Sequence, residues 1–336
     1  MIRPASRVFA GLFAFAALLA GCQSGAAQNG AIGAASPAPV TPAVVAGSPP
    51  VAASPAAAPA ASPYGFDATR AYGDLQAQCA FGPRYSGSAG YPKMRDWLVK
   101  SLSDASGLPA KRQDFVGTPG GKSLPMSNVY VAFNPQAKTQ VLLCAHWDTR
   151  PTADQEIDPA KKKMPIPGAD DGASGVAALL EVARVFKKKA PTVGVQIVFF
   201  DGEDYGPGDK EMYLGARAYA KAMPLPKPTY GVLIDMIGDS SLKIYREQFS
   251  EDNAPGINDK VFNAAALLHE NGFNNVVKYA ITDDHEPLQK VGVKIIDLID
   301  FDYGPWHTLD DTPDKCSGAS LQSVGDVLAK VVYDET

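Results

Sequence analysis

The sequence predicts a single three-layer α/β domain with a mixed, mostly parallel central sheet, and three observations carry that expectation. First, Val195-Gln196-Ile197-Val198-Phe199-Phe200 is a β-branched and aromatic run that stops at Asp201-Gly202-Glu203-Asp204. Such a run is the pattern of a buried parallel strand delivering acids to its carboxyl end. Second, the pattern recurs, with Val141 to Cys144 leading into His146-Trp147-Asp148, Val232-Leu233-Ile234 closing on Asp235, and Ile295 to Ile299 preceding Trp306-His307. Third, segments of helical period separate these runs after an initial hairpin-like pair. Ligands of open α/β sheets bind at the edge where those acids gather.

The chain begins with segments that do not belong to that domain. Arg3 and Arg7 precede an apolar run from Val8 to Leu18, too short for a comfortable membrane span, so residues 1–21 read as an export signal. Leu19-Ala20-Gly21-Cys22 resembles a bacterial lipobox, which implies cleavage before Cys22 and a lipid anchor on its sulfur. Gln23 next to it resembles outer-membrane sorting, giving an exported lipoprotein of the outer membrane, periplasm or cell surface. From Gln23 to Phe66 there is no charged residue, and Ala, Pro, Ser and Gly dominate. Residues 22–66 are therefore expected to form a disordered tether, leaving residues 67–336 as the catalytic α/β domain. At 336 residues and 46% hydrophobic, the chain has enough apolar material for a large core. The net charge of -5 and the lack of a basic stripe argue against a nucleic-acid partner.

Taken in order, the domain opens with a helix capped by Asp67 and running to about Phe81. Gly82-Pro83 breaks it, and a second helix follows with Met94, Trp97, Leu98 and Leu102 inward. Strands are expected over 111–116, 127–133 and 140–145, then a long loop over 149–167 above the site. An amphipathic helix over 171–187 turns Val176, Leu179, Leu180, Ala183 and Phe186 inward. The strand ending at Asp201 follows, then a short helix over 213–222, the strand to Asp235, an edge strand over 242–245 and a helix over 258–270. Residues 277–280, the strand around Ile295 and a helix from Ser317 complete the domain. Cys144 lies in a strand, where a thiol packs as a small hydrophobe. Cys79 and Cys316 fall on the first and last expected helices and are expected to pair outside the cytoplasm.

Chemistry concentrates at the strand ends. Three of the four histidines, His146, His285 and His307, lie beside acids. Imidazole and carboxylate donors without clustered thiolates suit Zn²⁺, whereas a calcium or magnesium site would leave His307 unexplained. Adjacent Glu203 and Asp204 point to opposite sides of an extended backbone, so one can hold a cation while the other handles protons. Gly168-Ala169-Asp170-Asp171-Gly172 opens a helix with two more acids. No glycine-rich phosphate loop, dinucleotide fingerprint or Gly-x-Ser-x-Gly elbow is present.

The ordered series His146-Trp147-Asp148, Gly168-Ala169-Asp170-Asp171, Glu203-Asp204, Asp235 and His307 resembles the zinc aminopeptidase superfamily that includes the animal-type glutaminyl cyclases. The resemblance implies that fold, with Asp171, Asp204 and His307 as zinc ligands and Glu203 as general acid/base. It implies Asp235 and Asp283 as carboxylates around the substrate amine, and Trp306 as a pocket wall. In two-zinc aminopeptidases His146 and Asp235 hold a second metal, with Asp171 as the bridge. Asp283-Asp284-His285 and the Tyr205 to Leu214 insertion resemble the cyclase branch. Asp204 in place of the usual glutamate, and Gly206-Pro207-Gly208 where animal cyclases carry a tryptophan, depart from it. The implied function is a zinc-dependent glutaminyl-peptide cyclotransferase acting on peptide or protein N-termini. The alternatives are a zinc aminopeptidase and, from another class, a catalytically silent scaffold module.

Overall fold

The computed structural model describes residues 61–335; the export signal, Cys22 and the tether as far as residue 60 lie outside the described residues. Helices α1 (Ala68–Cys79) and α2 (Tyr91–Ser106) open the domain. Asp67 caps α1, its Oδ1 accepting the Arg70 N–H at 3.0 Å. Strands β1 (Lys111–Gly117), β2 (Leu124–Phe133) and β3 (Gln140–His146) follow. Next come α3 (Ala173–Lys188), β4 (Gly194–Phe200), α4 (Leu214–Lys221) and β5 (Tyr230–Asp235). The chain continues through β6 (Ile244–Glu247), α5 (Gln248–Asn253), α6 (Pro255–Leu267) and β7 (Phe273–Tyr279). It ends with α7 (His285–Lys290), β8 (Lys294–Ile299) and α8 (Gly318–Tyr333).

Six strands form the main sheet in the order β1-β2-β4-β3-β5-β8. β2 is antiparallel to both its neighbours, and β4, β3, β5 and β8 run parallel. The mixed, mostly parallel sheet is therefore the one expected. Side chains alternate between two apolar layers, as the period of a strand requires. Val141, Leu143 and Ala145 face the larger layer, formed with α1, α2, α3 and α8, while Leu142 and Cys144 face the smaller one, formed with α4 and α7. All five inward residues expected of α3 are fully buried, each contributing roughly 1.5–3 kcal/mol for the larger apolar side chains. The parallel strands end together, so their acids share one rim.

Three expectations are corrected. Residues 61–66 belong to the folded domain and not to the expected tether. Ser62 Oγ donates to Asp326 Oδ1 at 2.5 Å and accepts the N–H groups of Tyr64 and Phe66, and the Phe66 ring is buried over Gly325 of α8. An aromatic ring with an apolar slot to fill orders the last residues of a charge-free segment. Cys79 and Cys316 are not bonded; with Cys144 they are free thiols. Cys316 lies ahead of α8 rather than on it, bridging to Asp239 with its Sγ beside Gly238. The edge strand is β6, but it pairs with β7 in a separate two-stranded parallel sheet instead of extending the main one.

Candidate metal centre

The acidic turn after β4 is held from several sides. Gly202 takes a left-handed φ of 69°, and a Cβ there would lie 2.8 Å from Met126 Sδ, so the turn needs glycine. Tyr91 Oη and the Ser127 N–H donate to Asp201 Oδ2, both at 2.6 Å. Asp148, in the loop after β3, accepts the N–H groups of Glu203 and Asp204. The segment entering α3 is held in the same way. Asp311 accepts the N–H groups of Asp170 and Asp171 at 2.8 and 3.3 Å and the Tyr303 hydroxyl at 2.7 Å.

His307 arrives on a loop with a left-handed φ of 54°, its ring stacked on Trp306 with centroids 4.0 Å apart. Its Nε2 lies 3.4 Å from Asp204 Oδ1 and 3.5 Å from Asp171 Oδ2. Donors on a tetrahedral zinc stand about 3.4 Å apart, given bonds of about 2.0–2.1 Å. Asp171, Asp204 and His307 are buried, and Asp204 Oδ2 has no hydrogen-bond partner. Two carboxylates and an imidazole with an unpartnered buried oxygen fit a zinc ion. A second group shares Asp171: His146 Nε2 lies 3.1 Å from Asp235 Oδ1 and 3.2 Å from Asp171 Oδ1. A third, Asp283, His285 and Asp297, is also buried, but the His285 imidazole has the carboxylate of Glu247, outside the group, at 3.5 Å.

Asp171, Glu203, Asp204, Asp235, Asp283, Trp306 and His307 line one cavity of about 260 Å³. Met212, Tyr213, Ile281 and Phe301 are among the other residues of its walls. His146 stands behind it, its Nδ1 3.8 Å from Glu203 Oε2. Burial raises the Glu203 carboxyl well above the carboxylate range; His146 opposes this, and Asp283 and Asp204 add to it. Asp283 is pushed up to about 7 by burial and then by Asp235. Burial alone would lower the His307 imidazole, but the carboxylates of Asp204, Asp154 and Asp171 carry it up to about 10.

The fold thus brings together every site residue singled out from the sequence. The sequence motifs assign no role to Asp148, Asp154, Asp311 or Tyr213. Asp148 stands two residues after His146, yet nothing in the motif shows that its carboxylate holds the turn after the next strand. Asp154 lies in the long loop over 149–167, and its Oδ1 sits 3.0 Å from His307 Nδ1. A histidine bonded this way presents Nε2 to a metal.

Residues 128–332 match the model of peptidase family M28, and the chain belongs to that family, a class of α/β metalloenzymes by fold and by site. A Zn-dependent exopeptidase from Parabacteroides distasonis superposes with a TM-score of 0.78 at 35% identity, over 80% of this chain and 99% of that one. The glutaminyl cyclase of Bacteroides thetaiotaomicron, solved with N-acetylhistamine bound, does so with a TM-score of 0.78 at 33% identity, over 81% of this chain and 99% of that one. The glutaminyl-peptide cyclotransferase of Boiga dendrophila is 24% identical over 297 residues, 75% of this chain and 77% of that one. The chain spans 46% of the length of Escherichia coli YfbL, at 28% identity over 51% of its own residues. Family and neighbours mark the protein as an enzyme of this kind.

Proposed function

We propose that the protein is a zinc-dependent glutaminyl-peptide cyclotransferase, converting the N-terminal glutamine of peptides to pyroglutamate with release of ammonia. The observation that carries this reading is the set of residues that shares the cavity with the Asp171, Asp204 and His307 group. Tyr213 Oη donates to Thr282 O at 2.7 Å, tying the insertion after the acidic pair to the segment that bears Asp283. Glu203, Asp235 and Asp283 face one small cavity together with Trp306. A pocket ending in three carboxylates suits a terminal amine, and its size suits a single residue.

Bound at Asp171, Asp204 and His307, zinc would supply Lewis acidity toward an amide carbonyl, favouring charge that develops on its oxygen. Glu203 accepts the proton of the substrate's α-amine as that nitrogen attacks the side-chain amide carbon. The same carboxyl then delivers the proton to the departing nitrogen, which leaves as ammonia. Its upward shift by burial brings it nearer the neutrality this exchange requires. Asp235 and Asp283 orient the amine, and Trp306 holds the glutamine side chain curled toward it.

A second reading, an aminopeptidase, is favoured by the His146, Asp171 and Asp235 group, with Glu203 deprotonating a water nucleophile. Incubation with a glutamine-initiated peptide separates the two by mass: loss of ammonia supports the cyclase, and loss of the whole first residue sinks it. Export and a lipid anchor at Cys22 complete the proposal, supported by the Leu19-Ala20-Gly21-Cys22 sequence.

A further inference from the structure

Two residues after Asp204 the chain passes through Gly206, at a φ of 55°. A Cβ there would lie 2.7 Å from both terminal nitrogens of Arg150 and 2.8 Å from Cζ. The missing side chain leaves a slot in which a flat guanidinium lies against the backbone. The Arg150 side chain is 5% exposed and serves two carboxylates. Nη1 donates to Asp204 Oδ1 at 2.5 Å, while Nε and Nη2 donate to Asp154 Oδ2 at 2.9 and 2.7 Å. The other oxygen of Asp154 meets His307 Nδ1 at 3.0 Å, and His307 Nε2 returns to within 3.4 Å of Asp204. Four side chains close a ring through two of the three donors of the candidate metal group.

We infer that Arg150 is a positioning residue for the metal: its planar fork, rather than its charge, fixes the orientation of the Asp204 carboxylate and, through Asp154, sets the nitrogen that His307 presents. The inference rests on zinc at Asp171, Asp204 and His307, as proposed above. A carboxylate with both oxygens free can swing between one-point and two-point donation. Here the bond from Arg150 fixes Oδ1 at 3.4 Å from His307 Nε2, and Oδ2 has no hydrogen-bond partner. Because one guanidinium restrains both side chains, neither ligand relaxes without the other. Charge by itself works in the opposite direction, since a cation beside a carboxylate donor opposes the arrival of a metal ion. A purely electrostatic role therefore predicts tighter zinc binding once Arg150 is neutralised.

Zinc affinity of the full-length protein, measured by competition with a chromophoric chelator, tests this. Arg150→Gln and Arg150→Lys are each expected to weaken zinc binding about 10- to 100-fold, the lysine because it keeps the charge and loses the fork. Circular dichroism of the metal-free variants checks that they fold. Asp154→Asn, at a side chain 33% exposed and so less demanding of the core, is expected to cost about 10-fold. Wild-type affinity in Arg150→Lys, or tighter binding in Arg150→Gln, overturns the inference. If neither Arg150 variant folds, Asp154→Asn decides: unchanged affinity overturns it and weakened affinity sustains it. A wild-type protein that takes up no zinc removes the zinc reading together with the brace, whereas zinc-binding wild type matched by its variants removes the brace alone.

Discussion

Asp148 Oδ1 accepts the backbone N–H of Glu203 at 3.1 Å, and its other oxygen accepts the next N–H, that of Asp204, at 3.3 Å. One fully buried carboxylate after β3 thereby holds the general acid/base candidate and a metal-ligand candidate after β4 at once. Asp148→Asn keeps the volume but turns an amide donor toward one of those N–H groups, leaving it unsatisfied. We expect kcat/KM for glutamine cyclisation to fall about 10- to 100-fold, and stability to drop by roughly 1–3 kcal/mol in denaturant unfolding. Wild-type kinetics in this variant would show that the turn holds itself.

Glu203→Gln should lower turnover by at least about 100-fold, the usual range for loss of a general acid/base. Zinc content should stay at the wild-type level, because Glu203 lies outside the Asp171, Asp204 and His307 group. In the wild type, the upward shift of Glu203 by burial displaces the rising limb of the pH–rate profile above the ordinary carboxylate range. A profile already flat from pH 5 upward would speak against Glu203 as the base.

The metal-free protein should lose stability as pH rises. His307, carried from its ordinary 6.5 to about 10, contributes stability that is complete below 6.5 and is lost as pH passes through about 10. Asp283 and Asp311, each raised from 3.8 to about 7, act in the same direction, eroding stability between those limits. Thermal midpoints of chelator-treated protein should therefore fall from pH 5 to pH 10. Zinc uptake at neutral pH should release a proton from His307, measurable as a buffer-dependent calorimetric heat. Midpoints that rise with pH would contradict these shifts.

Phe66→Ala should destabilise the domain by about 3–5 kcal/mol, since it empties a slot the ring fills at 5% exposure. A chain beginning at Asp67 should show a comparable loss, while one beginning at Ala61 keeps the Ser62 to Asp326 hydrogen bond. Equal unfolding midpoints for the two truncations would return residues 61–66 to the tether.

What the sequence determined by itself was the alternation of apolar runs with acids at their ends, because strand and helix periods are local and burial follows them. That sufficed for the mixed sheet, for the rim where its parallel strands end, and for the acids and histidines that meet there. It misjudged Cys316, whose place ahead of α8 depends on a bridge to Asp239, and β6, whose partner is another short strand. Tertiary structure alone decided which buried charges would face one another. Asp154 and His307 are 153 residues apart in the chain, and Arg150 and Asp204 are 54 apart. A buried charge persists only where a partner meets it within hydrogen-bond reach. That meeting depends on strand order and on the path of the loop over 149–167, which no local pattern encodes.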